Sequence, residues 1–143
     1  MMLSLHQANA IVAGALAEAE ARRAKPLGVA VLDAGGNLIV FQRQDGASLF
    51  RFAIARGKAM GALGMGADSA VLAERAKHYP VFFGSVATAT DGAMVLSAGG
   101  VLILADGAPI GAIGISGDTP DVDAACAAVG IRSAGAACSE MAS

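Results

Sequence analysis

Two histidines, His6 and His78, are the whole imidazole supply of this 143-residue chain. Histidine is the one side chain whose unperturbed pKa lies near neutral pH, so acid–base chemistry has two places to reside. His6 falls in the first turn of an apolar-periodic segment and is expected in solvent. His78 stands beside Tyr79, just before Pro80, at the end of a short helix whose dipole favours its charged form. A serine nucleophile of the hydrolase type would sit in a GxSxG elbow, which the sequence lacks. Cys126 and Cys138 form no CxxC pair and read as small buried helix residues in a reducing compartment. No set of residues reads as catalytic. Coordination chemistry stays open, because His78, Tyr79, Met60 or Met65 could each give iron an axial donor.

Cations supply the second kind of chemistry. Arg43 and Asp45 bracket one residue and are candidates for a ligand pocket or a local pair. Arg51, Arg56 and Lys58 could rim a site for carboxylates, which guanidinium groups hold in a fork. Gly57 and Gly61 lie one turn apart in the same segment. Each glycine costs a helix about 1 kcal/mol against alanine, so either a neighbouring backbone or a flat ligand is expected against them. Phe50, Ile54 and Leu63 could line such a slot. Gly111, Gly114 and Gly117 space as GxxGxxG, not as a dinucleotide fingerprint. Asp118, Asp121 and Asp123 would repel a phosphate there and are expected to complement a helix N-terminus.

The elements that must position these residues follow from spacing. Ser4 to Gln7 reads as a capping box before a first helix, which Pro26 must end. LGVAVLD, DAGGN and LIVFQR make a hairpin over residues 27–43. A second helix is expected over Leu49 to Leu63 with Ser48 as its cap. A third begins at Asp68 or Ser69 and ends at His78, and Pro80 opens a short turn through Phe83 and Val86. From Gly92 to Gly117, 26 residues carry one charge, Asp106, and seven glycines. That glycine content opposes a membrane helix. AMVLS, VLILA and APIGAIGIS read instead as three antiparallel strands, with Asp106-Gly107 as a hairpin turn. Thr119 or Asp118 caps a last helix that has Pro120 at its first position. The expected fold is one α+β domain over residues 1–143, ordered α-β-β-α-α-β-β-β-α, with five antiparallel strands.

Composition narrows the partners. Hydrophobic residues make up 55% and charged residues 15% of the chain, and the net charge is -2. So little charge suggests that part of the surface is covered by copies of the chain. No basic footprint marks a nucleic-acid binder. The N-terminus lacks a secretory pattern, and a cytoplasmic protein with no membrane partner is expected.

Three segments taken together carry a resemblance: VAVLDAGGNLIVFQRQDGAS, AIARGKAMGALGMG and GGVLILADGAPIGAIGISGDTPDVDAACAAVGI. In this order they resemble the GlcG/HbpS-like family, also called the haem-binding-protein-like or haem-degrading-domain family. With the N-terminal helix they span almost the whole chain. The family's GGxPI form is Gly99 to Ile103 here without its proline, and Gln44 replaces the methionine of its RMDGA motif. The resemblance implies a profilin-like sheet flanked by helices, assembly into a homo-oligomer, and a small ligand. Some family members bind haem or iron, while others accompany glycolate or diol use. For this chain the resemblance implies haem, bound non-covalently, but carries no ligand position; among this sequence's own residues His78, or Tyr79 beside it, best supplies a donor, Arg51, Arg56 or Lys58 are available for the propionates, and Gly57 and Gly61 could lie along the porphyrin. The competing expectation is an accessory enzyme for a small carboxylate, which requires Arg43, Asp45, Arg51 and His78 to converge in one cleft. A structural oligomer without a cofactor is the third.

Overall fold

A computed structural model describes residues 1–139 of the chain. Helix α1 (Leu5–Ala21) starts where Ser4 Oγ accepts the Gln7 N–H at 3.1 Å, and it turns Ala8, Ile11, Val12, Ala15 and Ala19 inward. The hairpin follows as β1 (Gly28–Asp33) and β2 (Leu38–Arg43), which pair antiparallel. Three helices come next: α2 (Arg51–Met65), α3 (Ser69–His78) and α4 (Pro80–Ala89). The chain continues through β3 (Gly100–Ala105), β4 (Ala108–Ser116) and α5 (Pro120–Ser133). Thr119 caps α5 by accepting the Val122 N–H.

The strands form one antiparallel sheet in the order β2-β1-β4-β3. Helices α1 and α5 cover one face, where Val29, Val31, Val101, Ile103, Ile113 and Ile115 meet Ile11, Val12 and Ile131. Helix α2 covers the other face over Leu32, Leu102 and Ala112. β1 is central and buried on both faces, which is why Gly28 to Leu32 reads as an unbroken apolar run. A Cβ at Gly100 or Gly114 would strike the backbone carbonyl of Lys58 or Ala55. The sheet glycines therefore let α2 settle at backbone distance.

Among the described residues four strands are present where five were expected, and three helices separate the two hairpins. The segment expected as a strand, Ala93 to Ser97, is irregular and lies across α2. Its Val95 N–H donates to the Gly57 carbonyl at 3.1 Å, and Val95 and Met94 pack where side chains at Gly57 and Gly61 would lie. The outer edge of β3 is meanwhile occupied. Gly100 N–H donates to Ser69 Oγ at 2.7 Å and Leu102 N–H to Asp68 Oδ1 at 2.9 Å. Leu104 N–H donates to the Ala137 carbonyl at 2.8 Å. A strand edge must satisfy its N–H groups, and here side chains and the C-terminal tail do so.

Helix ends also differ from expectation. Pro80 opens a ten-residue helix rather than a short turn. Helix α2 starts after Phe50, not at Ser48, and has no side-chain cap. Asp68 precedes α3 but turns its carboxylate to β3 instead of capping. Among the described residues no helix is long and apolar enough to cross a membrane.

Candidate functional site

Helix α2 carries most of the candidate residues, and its two sides treat them differently. Lys58 faces inward and is 2% exposed. Its Nζ donates to the Ile115 carbonyl at 2.9 Å and to Asp123 Oδ2 at 3.1 Å. Asp123, 1% exposed, accepts the Asp118 N–H on its other oxygen at 3.0 Å. Gly99 makes room: a Cβ there would sit 3.0 Å from both Cδ and Nζ of Lys58. The ion pair thus ties α2 on one face of the sheet to α5 on the other. Burial lowers the Lys58 amine below its usual range, against the pull of Asp123. Burial also raises the Asp123 carboxyl, against the pull of Lys58. Lys58, expected at a ligand's rim, is committed to this internal strap.

Arg51, in the first turn of α2, is half-buried, and its Nη1 donates to Ser116 Oγ at 2.8 Å. Arg56 faces outward and is exposed. It lies in a cleft of about 360 Å³ lined by Phe52, Ala53, Arg56, Gly57, Met60, Asp91, Gly92 and Ala93. The far wall is a tight turn after α4, in which Asp91 (φ +52°) and Gly92 (φ +71°) are left-handed. The cleft therefore combines an aromatic ring, a thioether, one guanidinium and one carboxylate. Sequence spacing pointed to Arg56, Gly57 and Met60 but not to Phe52 or the Asp91–Gly92 wall. The Asp91-Gly92 pair, just before the segment expected as a strand, is the available signal.

The remaining candidates lie elsewhere. Gly61 is covered by Met94. His78 ends α3 with its side chain 70% exposed, 3.7 Å from Glu74 Oε1, and Tyr79 beside it is 65% exposed. Neither lines the cleft. Helix α4 runs from Pro80 to Ala89 between them and Asp91, about 15 Å at 1.5 Å per residue. Arg43 and Asp45 border a different, shallow cleft of about 500 Å³ with Leu16, Glu20, Ala24, Pro26 and Gln44. There Arg43 Nη1 donates to the Ala47 carbonyl, and Gln44 Oε1 accepts the Leu27 N–H. Arg43, Asp45, Arg51 and His78 thus do not converge. Asp118 accepts the Lys25 and Thr119 N–H groups, which hold its carboxyl below the usual range. Among the described residues no three His, Cys, Asp or Glu side chains gather as a metal site.

A four-stranded antiparallel sheet between a helix pair and a single long helix, with a small half-apolar cleft on that helix, defines an α+β domain. Residues 3–132 match the family model described as haem degrading protein HbpS-like, and the chain belongs to that family. Among solved structures it is similar to the PduOC–haem complex, with a TM-score of 0.87 and 26% identity over 96% of this chain and 98% of that one. It is similar to HbpS at a TM-score of 0.81 and 30% identity, covering 92% of this chain and 89% of that one. A double mutant of Streptomyces reticuli HbpS aligns at a TM-score of 0.79 and 30% identity, over 91% and 85% of the two chains. A search of curated proteins returns no match.

Proposed function

We propose that this protein binds a small planar ligand without a covalent bond, and that the ligand is haem. The observation that carries the reading is the near full-length likeness to a chain solved as a haem complex, within a family described as haem-degrading. The cleft chemistry supports it. Phe52 and Met60 offer apolar and polarisable surface, and Arg56 makes no ion pair among the described residues. A guanidinium is suited to a propionate. The volume is at the lower end of small-ligand sites, roughly 300–1,000 Å³, so one edge of a porphyrin would enter and the other would stay outside. Bound haem would supply iron chemistry; the protein's part is to seat the ring, pair a propionate and give a donor. Within the cleft Met60 would be the donor. His78 would be the donor if haem lay instead on the outer face of α3. The low charge content supports a second element, that the chain works as a homo-oligomer.

Hemin titration of the pure protein tests the reading. Saturable binding with a shifted Soret band is expected. Loss of the shift in Met60→Leu with weaker binding in Arg56→Ala assigns the cleft, whereas loss in His78→Ala assigns α3. No saturable band overturns haem as the ligand.

A further inference from the structure

The cleft on α2 is electrically lopsided. Of its eight lining residues only Arg56 and Asp91 carry charge, and they stand on different walls. Arg56 lies on α2 between Phe52 and Met60, four residues from each, so the three share one stripe of the helix. Phe52 is held edge-on by Phe41 of β2, with ring centroids 4.8 Å apart. This wall therefore offers one guanidinium among a fixed aromatic ring and a thioether.

The wall opposite accepts and does not donate. The N–H groups of Asp91, Gly92 and Ala93 donate to the Thr88, Ala87 and Thr90 carbonyls at 3.3, 2.8 and 3.1 Å, so no amide of that turn is left to hold an anion. Helix α4 has no basic residue in its last turn, and the negative end of its dipole adds to the Asp91 charge. Asp91 is also a non-glycine residue held left-handed, at φ +52°, a conformation that Asp and Asn adopt more readily than other side chains. Its carboxylate makes no ion pair among the described residues.

We propose that Asp91 limits the cleft to one carboxylate: Arg56 takes the first, and Asp91 with the end of α4 turns away a second. The proposal rests on the haem reading and narrows it to one orientation. The two propionates of haem hang from the same edge of the ring, and a cleft of about 360 Å³ seats one edge. With one propionate on Arg56, the Asp91 wall repels the other and leaves it in solvent. The ligand class that the cleft prefers is a flat apolar body presenting a single ionised carboxylate. Asp91 is thus a specificity-determining residue, acting by like-charge exclusion.

Hemin, its monomethyl ester and its dimethyl ester are titrated into wild type, Asp91→Asn and Arg56→Gln at low ionic strength, where exposed charges are least screened. Asparagine tolerates the left-handed backbone as aspartate does, and circular dichroism checks that each variant is folded. The quantity read is the affinity for the monoester divided by that for hemin. It is expected to fall about threefold in Asp91→Asn, the scale of an exposed charge–charge interaction, because hemin alone carries the second carboxylate. Arg56→Gln is expected to weaken hemin and the monoester but not the dimethyl ester. If Asp91 only competes with the ligand for Arg56, Asp91→Asn tightens hemin and the monoester by the same factor, and the unchanged ratio overturns the exclusion while haem stands as the ligand. Equal loss of all three ligands in Arg56→Gln overturns the carboxylate pairing on which the exclusion depends. No saturable binding of any of the three overturns the haem reading itself.

Discussion

Replacing Lys58 by methionine removes one end of the strap that joins α2 to α5. The Asp123 carboxylate is then left 1% exposed, still accepting the Asp118 N–H but without its counter-ion, and the Ile115 carbonyl loses its ammonium donor. Breaking a buried pair from one side costs about 3–5 kcal/mol. A 143-residue domain has a total stability of roughly 7–21 kcal/mol, so the loss is a large share of it. At about 3–4 °C per kcal/mol for a domain of this size, the Tm falls roughly 10–20 °C. Urea titration followed by circular dichroism measures the change directly. Lys58→Met with Asp123→Leu removes both charges and recovers to within about 1–2 kcal/mol of wild type, because the lost attraction and the lost desolvation cost cancel. The single variants also respond to pH in opposite directions. Without Lys58, burial raises the Asp123 carboxyl further; a carboxyl raised on folding stabilises fully below its unfolded pKa and loses that contribution as pH rises through the folded one. The Lys58→Met deficit is therefore smaller near about pH 5 than near about pH 8. Without Asp123, Lys58 keeps the lowered value that burial gives it, and its contribution is lost as pH falls through the folded pKa, so the Asp123→Leu deficit grows toward acid. A Lys58→Met loss under about 1 kcal/mol, or a double variant equal to the sum of the singles, refutes the buried-pair account.

Two further outcomes follow from the sheet. Asp68 has one oxygen on the Leu102 N–H and the other buried without a partner among the described residues, and burial raises its carboxyl. Its contribution is thus present below the unfolded pKa and lost as pH rises through the folded one, so Asp68→Asn gains stability at pH 8 relative to pH 4. Asp68→Ala instead loses about 1–3 kcal/mol by orphaning that N–H, and equal pH profiles for Asn and wild type would sink this account. Gly114→Ala drives a methyl into the Ala55 carbonyl and destabilises by about 1–3 kcal/mol through overpacking. Gly64→Ala, in α2 with nothing within 4 Å, stabilises by about 0.5–1 kcal/mol through helix propensity. Thermal melts that rank these two the other way would show that α2 does not bear on the sheet as described.

Much of the fold was legible in local signals. The cap at Ser4, the Asp33–Asn37 turn, the Asp106-Gly107 hairpin and the Thr119-Pro120 start of α5 all stand where residue chemistry puts them, because each is decided within a few residues. The family was legible for a related reason, since its segments recur in order along the chain. Tertiary structure decided the rest. Ala93 to Ser97 has the composition of a strand, but the edge it would have joined is held by Ser69, Asp68 and Ala137, distant in sequence. Lys58 reads as a surface cation one residue from Gly57, yet the missing side chains at Gly99 and Gly100 admit it to the interior, where Asp123 waits 65 positions away. Arg56 and Asp91 face one cleft because two non-adjacent segments meet there. Local spacing cannot report such meetings: they depend on which backbones approach across the sheet, and that is settled by the packing of all elements at once.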